Sequence, residues 1–355
     1  MGHSAEIHRG QIAAVLEAWG MPARHAGRTA DVMLWADMRG VASHGISMLV
    51  NYEVLRSKDK VKFAAEPTLV RETPVSALVD GGENLGYVPA RYAIELAIDK
   101  ARKSGIGIVA VRNSMHFGAC GFYAEAAVDA GFVGTVMTST SKAAVAPTGG
   151  AEAKLGTDPI AFGAPALDGD SFLLDMATTT VAGGKIRNLA VEDLPCPPGW
   201  ILDPSGMPST EPKDVYDGAG FMTSLGGARE AASYKGYGLA AMVNILSACL
   251  SGSSLISDPL HSKIAGKGND IGHFFMVLDP GLFRDPQEFR ADVSKFLGML
   301  RSTRTVAGGE PVLVAGDPER AKLAKRKKDG IDVPKGLTAK LKVIAGDAGA
   351  EWVLG

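Results

Sequence analysis

Glu230-Ala-Ala-Ser-Tyr-Lys-Gly-Tyr-Gly-Leu-Ala-Ala241 contains Gly236-x-Gly238-x-x-Ala241, the loose spacing of a dinucleotide-binding turn. Such a turn works when a strand delivers the chain to it, so that its glycines admit a pyrophosphate to the next helix start, with an acidic residue about 20 positions on for the ribose. Glu230 to Tyr234 does not read as a strand. The glycines are equally explained as small residues that let a helix opened by Lys235 pack closely. Any dinucleotide this chain binds is therefore expected outside a Rossmann crevice. Beyond the glycines, Leu239, Met242, Val243, Leu246 and Leu250 recur at helical spacing up to Gly252, which predicts an apolar helix buried at the centre of the molecule.

Upstream, residues 188–234 are rich in Pro, Gly and Asp and predict a long excursion. Ser171 to Met176 reads as a strand ending in the carboxylate Asp175, Pro159 to Pro165 as irregular, and Ser139 to Gly156 as a loop. Before these come a strand over Val133–Thr138, a helix through Tyr123 and Ala130, and the turn Asn113-Ser-Met-His-Phe-Gly118 that carries His116. A strand from Ile106 to Val111 leads into that turn, itself fed by a helix from about Pro89 to Lys103 that stops at Gly105. At the N-terminus Ile12, Val15, Leu16 and Trp19, then Ala30, Met33, Leu34 and Met38, mark two amphipathic helices. The Gly- and Ser-bearing segment after Gly40, reaching towards Tyr52, reads as a loop that holds His44. Downstream, a strand over Phe274–Leu278, a helix over Gln287–Arg301 and a strand over Val312–Val314 precede the turn Ala315-Gly-Asp-Pro. A charged helix follows, and its Lys322–Lys328 run reads as a solvated face.

Composition narrows the function classes. The chain has 355 residues, 46% apolar and 21% charged, as an ordinary globular protein of about two domains has. Lys plus Arg total 37 against 39 for Asp plus Glu, so a net charge of -2 gives no reason to expect nucleic acid or an anionic membrane as partner. No apolar stretch approaches the ~20 residues of a membrane helix, and the N-terminus lacks a secretory layout, which predicts a soluble cytoplasmic protein with a small-molecule substrate. Cys120, Cys196 and Cys249 lie far apart without a CxxC and read as reduced thiols. The seven histidines show no ligand spacing, so no metal site is expected. Neither a G-x-S-x-G elbow nor a phosphate-binding G-x-x-x-x-G-K-[ST] loop occurs. His44 and His116 stand apart because each sits among Gly, Ser or Asn in a connecting loop. An imidazole with a reference pKa of ~6.5 can give or take a proton there.

Six segments run in order along nearly the whole chain: Ala36-Asp-Met-Arg-Gly-Val-Ala-Ser-His-Gly45, Asn113-Ser-Met-His-Phe-Gly118, Gly156-Thr-Asp-Pro159, Leu174-Asp-Met-Ala-Thr178, Lys235-Gly-Tyr-Gly-Leu239 and Gly316-Asp-Pro-Glu319. With them the chain resembles the malate/L-lactate dehydrogenase family of the non-Rossmann type, whose relatives include ureidoglycolate and sulfolactate dehydrogenases, diketogulonate reductase and piperideine-2-carboxylate reductase. The resemblance implies an α/β (α+β) fold in which a nicotinamide-binding domain with a largely antiparallel sheet, residues 76–299, joins a helical substrate-contacting domain, residues 1–75 with 300–355. It implies NAD or NADP as cofactor and a homodimer. His44 would be the proton donor or acceptor, helped by Ser43 and Asp175, and His116 matches a histidine with acid/base duty in some members. Cofactor contacts would fall on Ser139, Thr140 and Ser141, on Leu174, Asp175 and Met176, on Lys235, and on Ala315, Gly316 and Asp317. Substrate contacts would fall on Met48, Arg39 and Tyr52.

The chain departs from the family pattern at three positions. Many members carry Arg four residues after the motif histidine, where this chain has Met48. Gly-Thr-Asn-Pro has become Gly-Thr-Asp158-Pro, and the usual Asn of the 140 loop is Thr140. A carboxylate held by Arg39 or Arg187, or a bulkier, more apolar substrate, would accommodate Met48. The implied activity is hydride transfer between NAD(P)H and a 2-oxo acid, 2-hydroxy acid or cyclic imino acid. The rival is a catalytically idle member kept as a nucleotide-binding or oligomeric scaffold, which has no chemical need for Ser43, His44, His116 and Asp175 together.

Overall fold

The computed structural model describes residues 2–256 and 269–355; His261 lies outside them. In chain order it contains α1 (Ala5–Ala18), α2 (Ala23–Met38), α3 (Met48–Ser57), β1 (Thr68–Glu72), β2 (Ser76–Asp80), α4 (Tyr87–Ser104), β3 (Ile106–Ser114), α5 (Cys120–Asp129), β4 (Val133–Thr138), β5 (Ile160–Ala164) and β6 (Phe172–Met176). Then follow α6 (Gly183–Glu192), β7 (Ile201–Leu202), β8 (Pro208–Ser209), α7 (Lys213–Tyr216), β9 (Phe221–Met222), α8 (Tyr234–Asn244), β10 (Ile271–Leu278), α9 (Pro286–Arg301), α10 (Asp317–Asp329) and α11 (Lys335–Ala348).

The fold is mixed α/β. Seven strands pair in the order β1-β2-β3-β10-β4-β5-β6, and every pairing is antiparallel except β2 with β3. Side chains alternate across a strand, so the apolar runs of the central strands serve two faces. Val109, Val111, Val136, Ala161, Phe275 and Val277 join the main core with α1, α2, α4 and α5. Ile108, Met137, Ile160, Phe274 and Met276 form a second cluster with Val243 and Leu246. Fully burying each large side chain contributes about 1.5–3 kcal/mol. The N-terminal helices close over the first face: α1 packs on α2 and α11, and α2 on α4 and α10. Thr68–Glu72, although within residues 1–75, forms the exposed sheet edge.

Four expectations are corrected. Pro159–Pro165 is not irregular, because Ile160–Ala164 is a strand paired on both sides. Val312–Val314 is not a strand; Val314 instead packs with Leu297 and Ala166. The segment after Gly40 is not loop as far as Tyr52, since α3 begins at Met48. The helix opened by Lys235 is not buried all round. It packs through Ala240, Val243 and Leu246, while Leu239, Met242 and Leu250 on the face expected inside are more than a third exposed. The excursion over residues 188–234 contains α7 and a small sheet ordered β8-β7-β9 around its own core of Ile186, Cys196 and Ile201.

Candidate active site

The loop that presents His44 is built on a buried carboxylate. After α2 ends, Ala42–His44 forms one turn of 3-10 helix. Asp37 Oδ2, nearly inaccessible to solvent, accepts the Ile46 backbone N–H at 2.7 Å and His8 Nε2–H at 2.7 Å. Gly45 lies directly on that carboxylate: a Cβ there would stand 1.9 Å from Asp37 Oδ1. The sequence marked neither Asp37 nor His8 as a site residue. The available signal was an acid on the apolar face of α2, beside Ala30, Met33 and Ala36, where an uncompensated charge is costly.

His44 is half-buried, and its Nδ1 lies 2.8 Å from Ser43 Oγ. Enclosure by protein lowers its pKa from the usual value, because a charged imidazolium is poorly solvated there. The His116 ring sits opposite, 5.2 Å away between centroids. Its Nδ1 accepts the Gly118 N–H at 3.3 Å and faces Tyr52 Oη at 2.8 Å. A nitrogen that accepts from an amide carries no proton, so Tyr52 donates to it and the His116 proton resides on Nε2. Tyr87 Oη lies 2.9 Å from Tyr52 Oη and extends the chain. Burial pushes the His116 pKa down to about 3, with the neighbouring His44 and His273 adding to the effect. His116 therefore stays neutral and directs a fixed N–H donor outward.

Two adjoining cavities meet at His44. The first, about 270 Å³, is bordered by His116 and by Ser139, Thr140, Ser141 and Lys142; the second, about 360 Å³, by Ser43, Asp175, Met176, Gly183, Gly184 and Glu319. Thr157 and Pro159 border both. Between them Asp158 is fully buried at φ +37°, its Oδ2 accepting the Gly156 N–H at 3.0 Å, and burial raises its pKa to about 6. Asp175 also has its pKa raised to about 6, mainly by surrounding protein, although its side chain opens to the cavity; the Gly121 N–H at 2.7 Å opposes the rise. It makes no hydrogen bond to His44 or Ser43.

The structure thus gathers Ser43, His44, His116, Ser139, Thr140, Ser141, Asp175 and Met176 around one place. Other residues named from sequence lie elsewhere. Tyr52 is 1% exposed and supports His116 from below instead of facing the cavities. Met48 is buried in the main core and lines neither cavity. Arg39 Nη2 lies 2.7 and 2.8 Å from the two Glu125 oxygens, with its guanidinium 4.3 Å from the Trp35 ring. Arg187 is exposed on α6 near Tyr216, and Lys235 is exposed at the start of α8. Leu174 lines neither cavity. Ala315 accepts the Leu173 N–H at 3.3 Å, which ties the turn through Gly316 to β6. Asp317 is engaged by Arg301 and Arg320, and the Arg301 hydrogen bonds hold its carboxyl well below the usual range. Lys142 and Glu319 border the cavities and Tyr87 supports Tyr52, and the sequence singled out none of the three for the site.

The family model described as malate/L-lactate dehydrogenase matches residues 4–342. The chain is 38% identical over 341 residues to a malate dehydrogenase of Pyrococcus horikoshii, a match covering 96% of this chain and 93% of that protein. The crystal structure of malate dehydrogenase from Entamoeba histolytica agrees with a TM-score of 0.93 at 30% identity over 99% of both chains. A structure of delta1-piperideine-2-carboxylate reductase from Pseudomonas syringae pvar. tomato agrees with a TM-score of 0.85 at 27% identity, over 97% of this chain and all of that one. With matches of this extent in sequence and in backbone, the chain belongs to the malate/L-lactate dehydrogenase family.

Proposed function

We propose that this protein is a nicotinamide-dependent oxidoreductase that moves a hydride between NAD(P)H and a 2-oxo acid, 2-hydroxy acid or cyclic imino acid. The observation that carries this reading is the His44–His116 pair at the junction of two cavities, in a chain whose relatives are named as dehydrogenases and a reductase. Those names give the scaffold alternative no support. In this reading His44 comes from the helical part, residues 1–75 with 300–355, and His116 from the cofactor-binding part, residues 76–299.

The residues of the second cavity fit a dinucleotide held outside a Rossmann crevice. The α6 start borders it, and a Cβ on Gly184 would meet nothing within 4 Å, so backbone N–H groups there have open space for a pyrophosphate. Asp175 and Glu319 offer acceptors to ribose hydroxyls, and Ser139, Thr140, Ser141 and Met176 would complete the contacts. When bound, the cofactor supplies or takes the hydride at C4 of its nicotinamide. We also read the protein as a homodimer, because Leu239, Met242, Ile245 and Leu250 leave an apolar flank of α8 and the turn after it for a second copy to cover.

The chain's own residues manage the proton. In oxidation, neutral His44 accepts the proton of the substrate hydroxyl through Nε2 while its Nδ1–H donates to Ser43 Oγ. In reduction, protonated His44 returns it to the oxygen or nitrogen as negative charge grows there. His116 donates its Nε2–H to the same heteroatom without changing charge. The lowered His44 pKa then sets the pH dependence. Reduction requires imidazolium, so kcat/KM for reduction is expected to be highest at acid pH and to fall as pH rises through a midpoint below 6.5. Oxidation requires neutral imidazole, so its kcat/KM is expected to rise through the same midpoint and then level off. Profiles in both directions, taken over a panel of 2-oxo acids, 2-hydroxy acids and cyclic imines with NADH and NADPH, check this. A reductive rate that increases with pH across that range would remove His44 from the role.

A further inference from the structure

We propose that Lys142 binds the substrate's carboxylate in the cavity beside His44 and His116. This rests on the functional reading above, in which every substrate class carries a carboxylate on the reacting carbon. An anion there needs a cation or several fixed donors. Arg39 is committed to Glu125, and Met48 lies in the core with a thioether that cannot donate. Among the described residues bordering the two cavities, Lys142 is the one lysine or arginine.

Its setting suits the task. Lys142 is exposed and makes no ion pair among the described residues. The short loop that carries it is fixed on both sides: the Ser139 N–H bonds to Gly272 O at 3.0 Å and the Ala144 N–H to Leu155 O at 2.9 Å. The root of the side chain is therefore placed, while its four-carbon stem leaves the ammonium free to adjust. His44 and His116 are both biased to the neutral form, and the carboxylates Asp175 and Glu319 border the other cavity. A carboxylate entering beside the histidines meets the Lys142 ammonium. An ammonium is also a point charge with rotatable donors, so it accepts the carboxylate of an open chain or of a ring, where a planar guanidinium would demand one bidentate geometry.

Steady-state kinetics on the full-length enzyme test the assignment with Lys142→Met and Lys142→Arg, using the best substrate of the panel and its neutral carboxamide analogue. Lys142→Met is expected to raise KM for the acid by about tenfold to a hundredfold with a smaller change in kcat, the pattern of lost uniform binding. KM for the carboxamide stays put, and Lys142→Arg restores most of the loss. The dissociation constant of NAD(P)H, from nicotinamide fluorescence, is expected to stay within about twofold. Unchanged KM for the acid in Lys142→Met overturns the proposal, as does an increase confined to the cofactor constant, which would assign the lysine to a cofactor phosphate. Failure of the wild-type enzyme to turn over any member of the panel overturns the oxidoreductase reading itself, a result distinct from turnover that ignores the substitution.

Discussion

Replacing His44 with Ala is expected to lower kcat by ~10²–10⁴, the range for loss of a general acid/base, while NAD(P)H affinity stays within about twofold. The two parts of this expectation have separate causes. His44 stands where the cavities meet, so its ring can reach a substrate in the first cavity, but the groups suited to ribose and pyrophosphate line the second. Folding should be little affected. The ring is half-buried, and its one hydrogen bond among the described residues is to the exposed Ser43, a contact worth about 1 kcal/mol at most. A melting temperature close to wild type therefore accompanies the loss of turnover. His44→Asn, which keeps a polar group without a titrating nitrogen, should behave alike. Either variant retaining more than about half of wild-type turnover under chemistry-limited conditions contradicts the assignment.

Gly45→Ala is expected to damage both stability and turnover although it adds only a methyl group. At this glycine there is no space for a side-chain carbon. The added carbon would lie 1.9 to 2.2 Å from the three carboxyl atoms of Asp37. That side chain cannot swing aside cheaply, because it is buried and holds His8 and the Ile46 N–H at 2.7 Å each. Relief must come from lifting the Ala42–Ile46 backbone, which displaces His44 from His116. Overpacking of this kind costs about 1–3 kcal/mol. Misplacing a catalytic group by about an ångström can cost a hundredfold in rate. Thermal unfolding and kcat measured on the same preparation check the two effects together. Wild-type values for both would show that Asp37 does not fix the loop.

The parts of the fold that sequence revealed are those whose signal is local. Val133–Thr138 and Phe274–Leu278 are apolar, largely β-branched or aromatic runs bounded by turn residues, and the α4 stop at Gly105 takes the left-handed conformation that glycine accommodates. What stayed hidden was decided by tertiary neighbours. Ile160–Ala164 looked irregular between two prolines with Gly163 inside it, yet that glycine admits α5, since a Cβ there would meet Val128 at 2.6 Å. Val312–Val314 had a strand's composition but no strand to pair with. At the site, His44, Ser43 and His116 were legible because unusual residues cluster in turns. Met48 was expected to face the substrate from its place four residues after His44, but His44 ends a 3-10 turn and Met48 begins α3, so helical spacing does not apply and the side chain enters the core. Tyr52 was expected at the substrate and instead holds His116, a relation that depends on α3 packing across 64 residues of sequence. Lys142 lies in the stretch read from sequence only as a loop, Ser139 to Gly156.

The central claim is hydride transfer at the cavity where His44 and His116 meet, and label transfer from reduced cofactor deuterated at C4 tests it most directly. With both C4 hydrogens replaced by deuterium and the best acid or cyclic imine of the panel, the account predicts one deuterium in the product on the carbon next to the carboxylate for each cofactor oxidised, with the rate of transfer collapsing in His44→Ala. Cofactor oxidation without label on that carbon, or transfer that persists unchanged in His44→Ala, would contradict it.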